Sequence, residues 1–314
     1  MTGRDLDLVV MGDVNPDVVV RDAEPVFGQH EEIVSSIELT IGGSASIMAT
    51  AAARLGLRVA LIGVVGDDPL GRFMLAELAA RDVDVDACRV NRRMPTGATV
   101  ILTRGADRAI LTARGAIADL VADDIPVELL RRARHLHVAS YFLLEGLRSA
   151  LGEVVGRANA AGATVSIDPN WDPTQVWDHG LRGLLARVDV FLPNEAEALG
   201  VSGQATIEAA ADDLVNRHGC RLVVIKRGSG GALLCGVEAG RVAAAAYPVD
   251  VVDAVGAGDA FDAAFLAAWL DRRPVDVALR FAAAAGALST RSMGGTGSQA
   301  TVAQVEAALA GWQP

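Results

Sequence analysis

The chain has 314 residues, 51% of them hydrophobic and only 4% aromatic, with 39 acidic against 28 basic residues and a formal charge of −11. That length buries one large core or two modest ones, and the acidic balance argues against a nucleic-acid partner, because a phosphate polymer is repelled over most of the surface. The three cysteines, Cys88, Cys220 and Cys235, are odd in number and lack CxxC spacing, so neither a disulfide framework nor a zinc knuckle is signalled and a reducing cytoplasm fits best.

No basic leader precedes the first apolar run, and no run approaches the roughly 18 to 20 apolar residues of a membrane span. A soluble, cytoplasmic protein without membrane association is expected. Leu6–Met11 reads as a buried strand ending at Gly12 and Asp13. Segments at about 14–40 and 92–116 hold short, half-polar β-type pieces and are expected to form a small accessory sheet. The pair Gly42-Gly43 opens an Ala-rich helix over 44–55, Gly56 stops it, and 59–65 follows as a strand. Further on, the pattern predicts a helix over 71–81, a strand over 135–140, a helix over 147–161 and a strand over 164–167. Then come a helix over 181–186, a strand over 188–191, a helix over 207–218, and strands over 222–225, 230–234 and 241–245, the late ones antiparallel. Two long helices, 259–270 and 275–290, close the series. Such alternation predicts an α/β fold, a mostly parallel sheet covered on both faces by helices, in a single domain with a lid.

The most informative segment is Asp253-Ala-Val-Gly-Ala-Gly-Asp-Ala-Phe261, in which two glycines precede a long helix whose first turn carries a carboxylate. Glycines let successive N–H groups approach an anion, and the helix dipole adds about half a positive charge at the same end. Two readings of Asp259 stand: a carboxylate capping its own helix, or a base that takes the proton of an attacking hydroxyl beside a phosphoryl group. Lys226 is the sole lysine and is followed by Arg227, so no Walker A sequence exists. No GxGxxG follows a strand, which disfavours a dinucleotide fold and a dehydrogenase.

Asp253 with Gly256-Ala-Gly-Asp259-Ala-Phe resembles the C-terminal DTxGAGD signature of the ribokinase-like (PfkB) carbohydrate kinases, and Gly42-Gly43 with its helix resembles their N-terminal signature. Asn194-Glu-Ala-Glu197 is similar to the family's NxxE motif, and Lys226-Arg-Gly-Ser-Gly-Gly231 to its nucleotide-binding strand and turn. The resemblance spans nearly the whole chain. It implies a three-layer ribokinase-like fold, with a β-lid over the sugar, and ATP-dependent phosphorylation of a monosaccharide hydroxyl. By the same likeness Asp259 is the base, and the amides of Gly256, Ala257 and Gly258 form the anion hole. Asn15, Asp17, Gly42, Gly43 and Glu145 meet the acceptor, although a turn cap for the first two and a surface helix cap for Glu145 remain as alternatives. Asn194, Lys226, Gly228, Ser229 and Gly231 hold ATP, Glu197 holds Mg2+ through water, and Asp253 serves a monovalent cation such as K+. A homodimer through the lid is the expected assembly.

Two departures stand out: Ile47 where the family signature has Asn, and Ala254 in place of Thr. The first puts a ribose-specific pocket in doubt. In Asp168-Pro-Asn170-Trp171-Asp172, the family's frequent Arg is replaced by Asp172, which disfavours a charged acceptor. Trp171 and Trp177 are read as packing residues, and Arg104, Arg108 and Arg114 as charges on exposed strands. A nucleoside kinase of the same family and a sugar or nucleotide sensor without turnover are the competing functions. The scarcity of aromatic residues favours a sugar over a nucleoside.

Overall fold

A computed structural model describes residues 4–25, 28, 31–104 and 107–312. Residues 1–3, 26, 27, 29, 30, 105, 106, 313 and 314, some of them in the two segments expected to build the accessory sheet, lie outside the described residues. In chain order the elements are β1 (Leu6–Met11), β2 (Asn15–Arg21), β3 (Ser36–Gly42), α1 (Ser44–Arg54), β4 (Val59–Ile62), β5 (Val64–Gly66), α2 (Pro69–Ala79), β6 (Val83–Asp84), β7 (Arg89–Asn91), β8 (Ala98–Arg104) and β9 (Asp107–Ala113). The second half adds α3 (Val127–Arg132), β10 (Ala133–Val138), α4 (Glu145–Arg148), α5 (Leu151–Ala160), β11 (Thr164–Ile167), α6 (Leu181–Leu184), β12 (Val190–Phe191), α7 (Glu195–Ser202), α8 (Ile207–Asn216), β13 (Leu222–Lys226), β14 (Ala232–Gly236), β15 (Gly240–Ala244), α9 (Ala257–Leu270), α10 (Val275–Ser289) and α11 (Val302–Ala310).

Nine strands form the main sheet in the order β15-β14-β13-β12-β11-β10-β1-β4-β6. The pairs from β6 across to β13 are parallel, while β14 and β15 are antiparallel. Alternation along β1 explains its apolar run Leu8–Met11. Leu8 and Val10 join the core under α1, α9 and α10, whereas Val9 and Met11 join the core of the opposite face, which takes in Val154 and Leu214 of α5 and α8. Both faces are buried, so no polar residue is required at every second position. Loops at the C-terminal ends of these parallel strands deliver Asp13, Asp168 and Asn194, the usual place for a site in an open α/β sheet.

The accessory sheet is present, with the order β3-β2-β8-β9. Across it, Leu39, Val18, Val100 and Leu111 stand side by side, as do Ile37, Val20, Leu102 and Ala109. Residues of the opposite face, Asp17, Val19, Thr99 and Ile101, are buried.

Two expected elements are each two. Residues 59–65 divide at Gly63, because β5 leaves the main sheet and pairs with β7 in a separate two-stranded sheet. Residues 147–161 divide into the end of α4 and α5, with the amide of Ala150 closing a short turn onto the Leu147 carbonyl at 2.9 Å. Leu147 and Leu151, four residues apart, are both fully buried, so the apolar period runs through a break it does not reveal. Helix α2 begins two residues earlier than expected, at Pro69, because the Asp68 carboxylate accepts the Gly71 amide at 2.8 Å and Pro suits the first helical position.

Candidate active site

Helix α9 starts from a backbone that only glycine adopts without strain. Gly256 has φ 72°, and a Cβ there would lie 2.7 Å from Gly295 Cα and 2.8 Å from Ile47 Cγ2. Ile47, 3% exposed, is therefore the packing surface beneath this turn. The turn is held from the other side by Asp253, whose Oδ1 accepts the Val255 amide and Oδ2 the Gly294 amide, both at 2.9 Å. The amide ends of Ala257 and Gly258 thus border a cavity of about 500 Å³ that also takes in Lys226, Gly228, Ser229 and Gly231. Tyr247 and Phe261 give it an apolar wall. Asn194 caps α7 and exchanges three hydrogen bonds with Glu197, at 2.6, 2.8 and 3.0 Å.

Beneath the turn lies a charged cluster. Lys226 Nζ bonds Asp168 Oδ2 at 2.8 Å and Asp262 Oδ2 at 2.9 Å, and it lies 3.6 Å from where a Cβ on Gly258 would stand. Burial works against the ammonium, but Asp168 and Asp262 hold its pKa above the ordinary lysine value. Burial likewise opposes charge on Asp168, yet Lys226 keeps that carboxyl below its usual range, while burial drives Asp262 well up. The cluster is a buried lysine between two carboxyls, of which Asp168 is favoured as the charged partner and Asp262 is pushed toward its protonated form. Asp259 sits one turn of α9 before Asp262. Burial first, and the negative charge of Asp168 second, push its carboxyl up to about 7, against the lowering effect of Ser44 and Lys226. Glu197, 4% exposed, is pushed up to about 8 by burial and by Asp168.

On the other side of Asp259, α1 begins after Gly43 with both its first amides on one carboxylate: Ser44 N and Ala45 N donate to Asp13 at 3.0 Å. The Ser44 hydroxyl is left to donate to Asp259 Oδ1. Asn15 Nδ2 donates to Thr99 Oγ1 at 3.2 Å, which ties β2 to β8. Asp17 lies over Gly42 and is buried, and its carboxyl is raised to about 7 by burial, then by the charges of Asp13 and Asp253. Asn15, Asp17, Gly42, Gly43 and Asp259 are thereby joined through the tripeptide Gly42-Gly43-Ser44.

Glu145 opens α4 and pairs with Arg114, at the end of β9, and with Arg148 at 3.9 Å. Asp172 is engaged within its own loop. It is 1% exposed and accepts from Thr174 N, Thr174 Oγ1 and Trp177 N at 2.9, 2.8 and 2.7 Å, organising its own loop. Asn170 Nδ2 donates to Ser140 Oγ at 2.9 Å. Trp171 and Trp177 pack edge to face at 4.9 Å.

Sequence reasoning missed Ser44, Asp13 and Asp262. The signal for Asp262 was a second acid three residues after Asp259, which puts both on one helix face. Ser44 gave no signal, since a serine after a glycine pair reads as a helix start.

Comparison with known proteins agrees with this architecture. Residues 5–302 match the model of the pfkB family carbohydrate kinases. The chain is 32% identical over 280 residues to an ATP-dependent ribose-1-phosphate kinase of Halopiger xanaduensis, covering 88% of this chain and 90% of that protein. It is 29% identical over 300 residues to a ribokinase of Haemophilus influenzae, covering 91% and 93%. A putative ribokinase II from E. coli, solved with ATP and Mg2+, superposes with a TM-score of 0.87 at 25% identity over 97% of this chain and 99% of that one. The ribokinase of Arabidopsis thaliana, solved with ribose and ATP, gives 0.84 at 25% identity over 98% and 99%. With the family model matched along almost its whole length, this chain belongs to the pfkB family of carbohydrate kinases.

Proposed function

We propose that this carbohydrate kinase moves the γ-phosphoryl group of Mg2+-bound ATP to a hydroxyl of a monosaccharide, with Asp259 as the base. The observation that carries the reading is the position of Asp259, a carboxyl raised to about 7, in the first turn of α9 beside the cavity bordered by Ala257 and Gly258. A base needs a proton affinity near the working pH. ATP occupies the cavity, held by Asn194, Lys226, Gly228, Ser229 and Gly231, and the amides of Gly256, Ala257 and Gly258 receive charge developing on the phosphoryl oxygens. Both oxygens of Glu197 already accept from Asn194, which fits an outer role, orienting a water on Mg2+, better than direct ligation. When bound, the ion neutralises phosphate charge. Asp253, already bridging the turn and Gly294, is where K+ would act.

On the acceptor side Asn15, Asp17, Gly42 and Gly43 receive the sugar, and the four-stranded sheet closes over it to exclude water. Glu145 meets the acceptor only by giving up Arg114. The half-exposed outer rows of that sheet, with Ile37 at 67% and Leu111 at 60% exposed, support a second copy packed against them. Light scattering at micromolar concentration should give a dimer, and L111E should give a monomer. Among the described residues no helix is long and apolar enough to cross a membrane. A cytoplasmic location is part of the same reading.

The deciding experiment is ADP release from Mg-ATP against pentoses, hexoses, sugar acids, sugar phosphates and nucleosides, with D259N in parallel. Turnover on one acceptor class should fall about a thousandfold in D259N with ATP binding retained. For the parent, kcat/KM should rise as pH passes 7, because only deprotonated Asp259 accepts the hydroxyl proton. Unchanged turnover in D259N, or a rate flat from pH 5 to 9, sinks the assignment of the base.

A further inference from the structure

We propose that Ser44 is a positioning residue for Asp259: its hydroxyl fixes one carboxylate oxygen so that the other faces the acceptor. This rests on the reading of Asp259 as base. Among the described residues, Ser44 is the one side chain hydrogen-bonded to Asp259, through Oδ1. Its own placement is rigid. Gly43 turns the chain at φ 77°, and the Ser44 amide is held by Asp13 Oδ2 at 3.0 Å.

The competing explanation, that Ser44 caps α1, does not fit, because capping is already done by the Asp13 carboxylate on the amides of Ser44 and Ala45. The hydroxyl is therefore free for another element, and it crosses to α9. Ser44 is 9% exposed, so bulk water does not replace the bond easily. Around Asp259 the charged groups come from four elements: Asp168 after β11, Lys226 at the end of β13, Asp13 after β1 and Glu197 on α7. Three are acids and none of the four bonds Asp259. Without Ser44 the carboxylate would turn on its side-chain torsion and hold its proton more strongly, which is the wrong direction for a base.

The test compares S44A, S44T and D259N for folding by thermal melting, for kcat and KM of both substrates, and for the pH dependence of kcat/KM. S44A should melt like the parent, lose about tenfold in kcat at pH 7, keep its KM for ATP, and show the acid limb moved to higher pH. S44T, which restores a hydroxyl, should recover most of the loss. A merely structural serine would change melting and leave the pH limb in place. An inactive D259N beside an S44A with parental kcat and pH limb overturns this inference alone. An active D259N overturns the base and the inference with it. Should S44A fail to fold, S44C, close in volume and a weak donor, takes its place with the same expected shift.

Discussion

On the proposed nucleotide side of Asp259 the cavity is lined mostly by glycines and small or apolar side chains, with Lys226, Arg227, Ser229 and Thr290 as the polar minority. On the proposed acceptor side, Asp13, Asn15, Asp17 and Ser44 are all buried polar groups, with Asn15 bonded to Thr99 of β8 and Ser44 to Asp13 and to Asp259 of α9. Under the proposed function the two walls suit two ligands. Triphosphate is the same in every reaction, and a fixed array of amides serves it at little cost in ordering. A sugar is told from its isomers by the direction of each hydroxyl, which takes side chains of set length, each left unpaired when the wrong sugar binds.

The largest expected effect challenges that division directly, because it removes the one lysine of the nucleotide wall. In K226M, Asp168 loses its ion-pair partner in a buried site, and breaking such a pair costs about 3–5 kcal/mol. Urea unfolding should show the loss as a lower midpoint at unchanged slope. Lys226 is among the groups proposed to hold ATP, so some affinity goes with it; if the comparison holds and backbone groups carry most of the binding, the K226M protein that remains folded loses no more than about tenfold in ATP affinity. A loss beyond a hundredfold, with folding intact, would mean that this wall too recognises its ligand by a side chain.

The same division explains what could be read in the sequence. Backbone recognition leaves glycines and helix starts in the chain, so the turn before α9, the Gly42-Gly43 pair and the parallel sheet were all legible. Recognition by side chains leaves single polar residues that look like any cap. Ser44 and Asp13 are therefore missed, and for Asp172 the sequence shows only that it stands where the family often has Arg, not that it is the hub of its own loop. Ile47 shows the limit from the other direction. In the sequence it marks only a departure from the family's Asn, whereas in the structure its side chain packs under Gly256 and Gly295, a contact between residues more than 200 positions apart. Boundaries failed where burial ignored them, as at Leu147 and Leu151.

A smaller and more selective effect comes from G42A, which sharpens the comparison because it acts on one wall only. Gly42 ends β3 in the extended region and pairs with Asn15, so alanine brings no backbone strain. An added Cβ would stand 2.0 Å from Asp17 Oδ1 and 2.1 Å from its Cγ, an overlap relieved only by moving that carboxylate. Asp17 is short, 5% exposed and already raised to about 7 by burial and by the charges of Asp13 and Asp253. Displacement by about 1 Å is enough to cost about a hundredfold in a positioned reaction. Steady-state kinetics should show acceptor kcat/KM reduced about that much, with KM for ATP and the melting temperature close to the parent. An equal loss at both substrates would mean that β3 and α9 move together and that the two walls are one unit. Selective loss at the acceptor would establish that the carboxylate over Gly42, rather than the glycine itself, is what the sugar side is built to present.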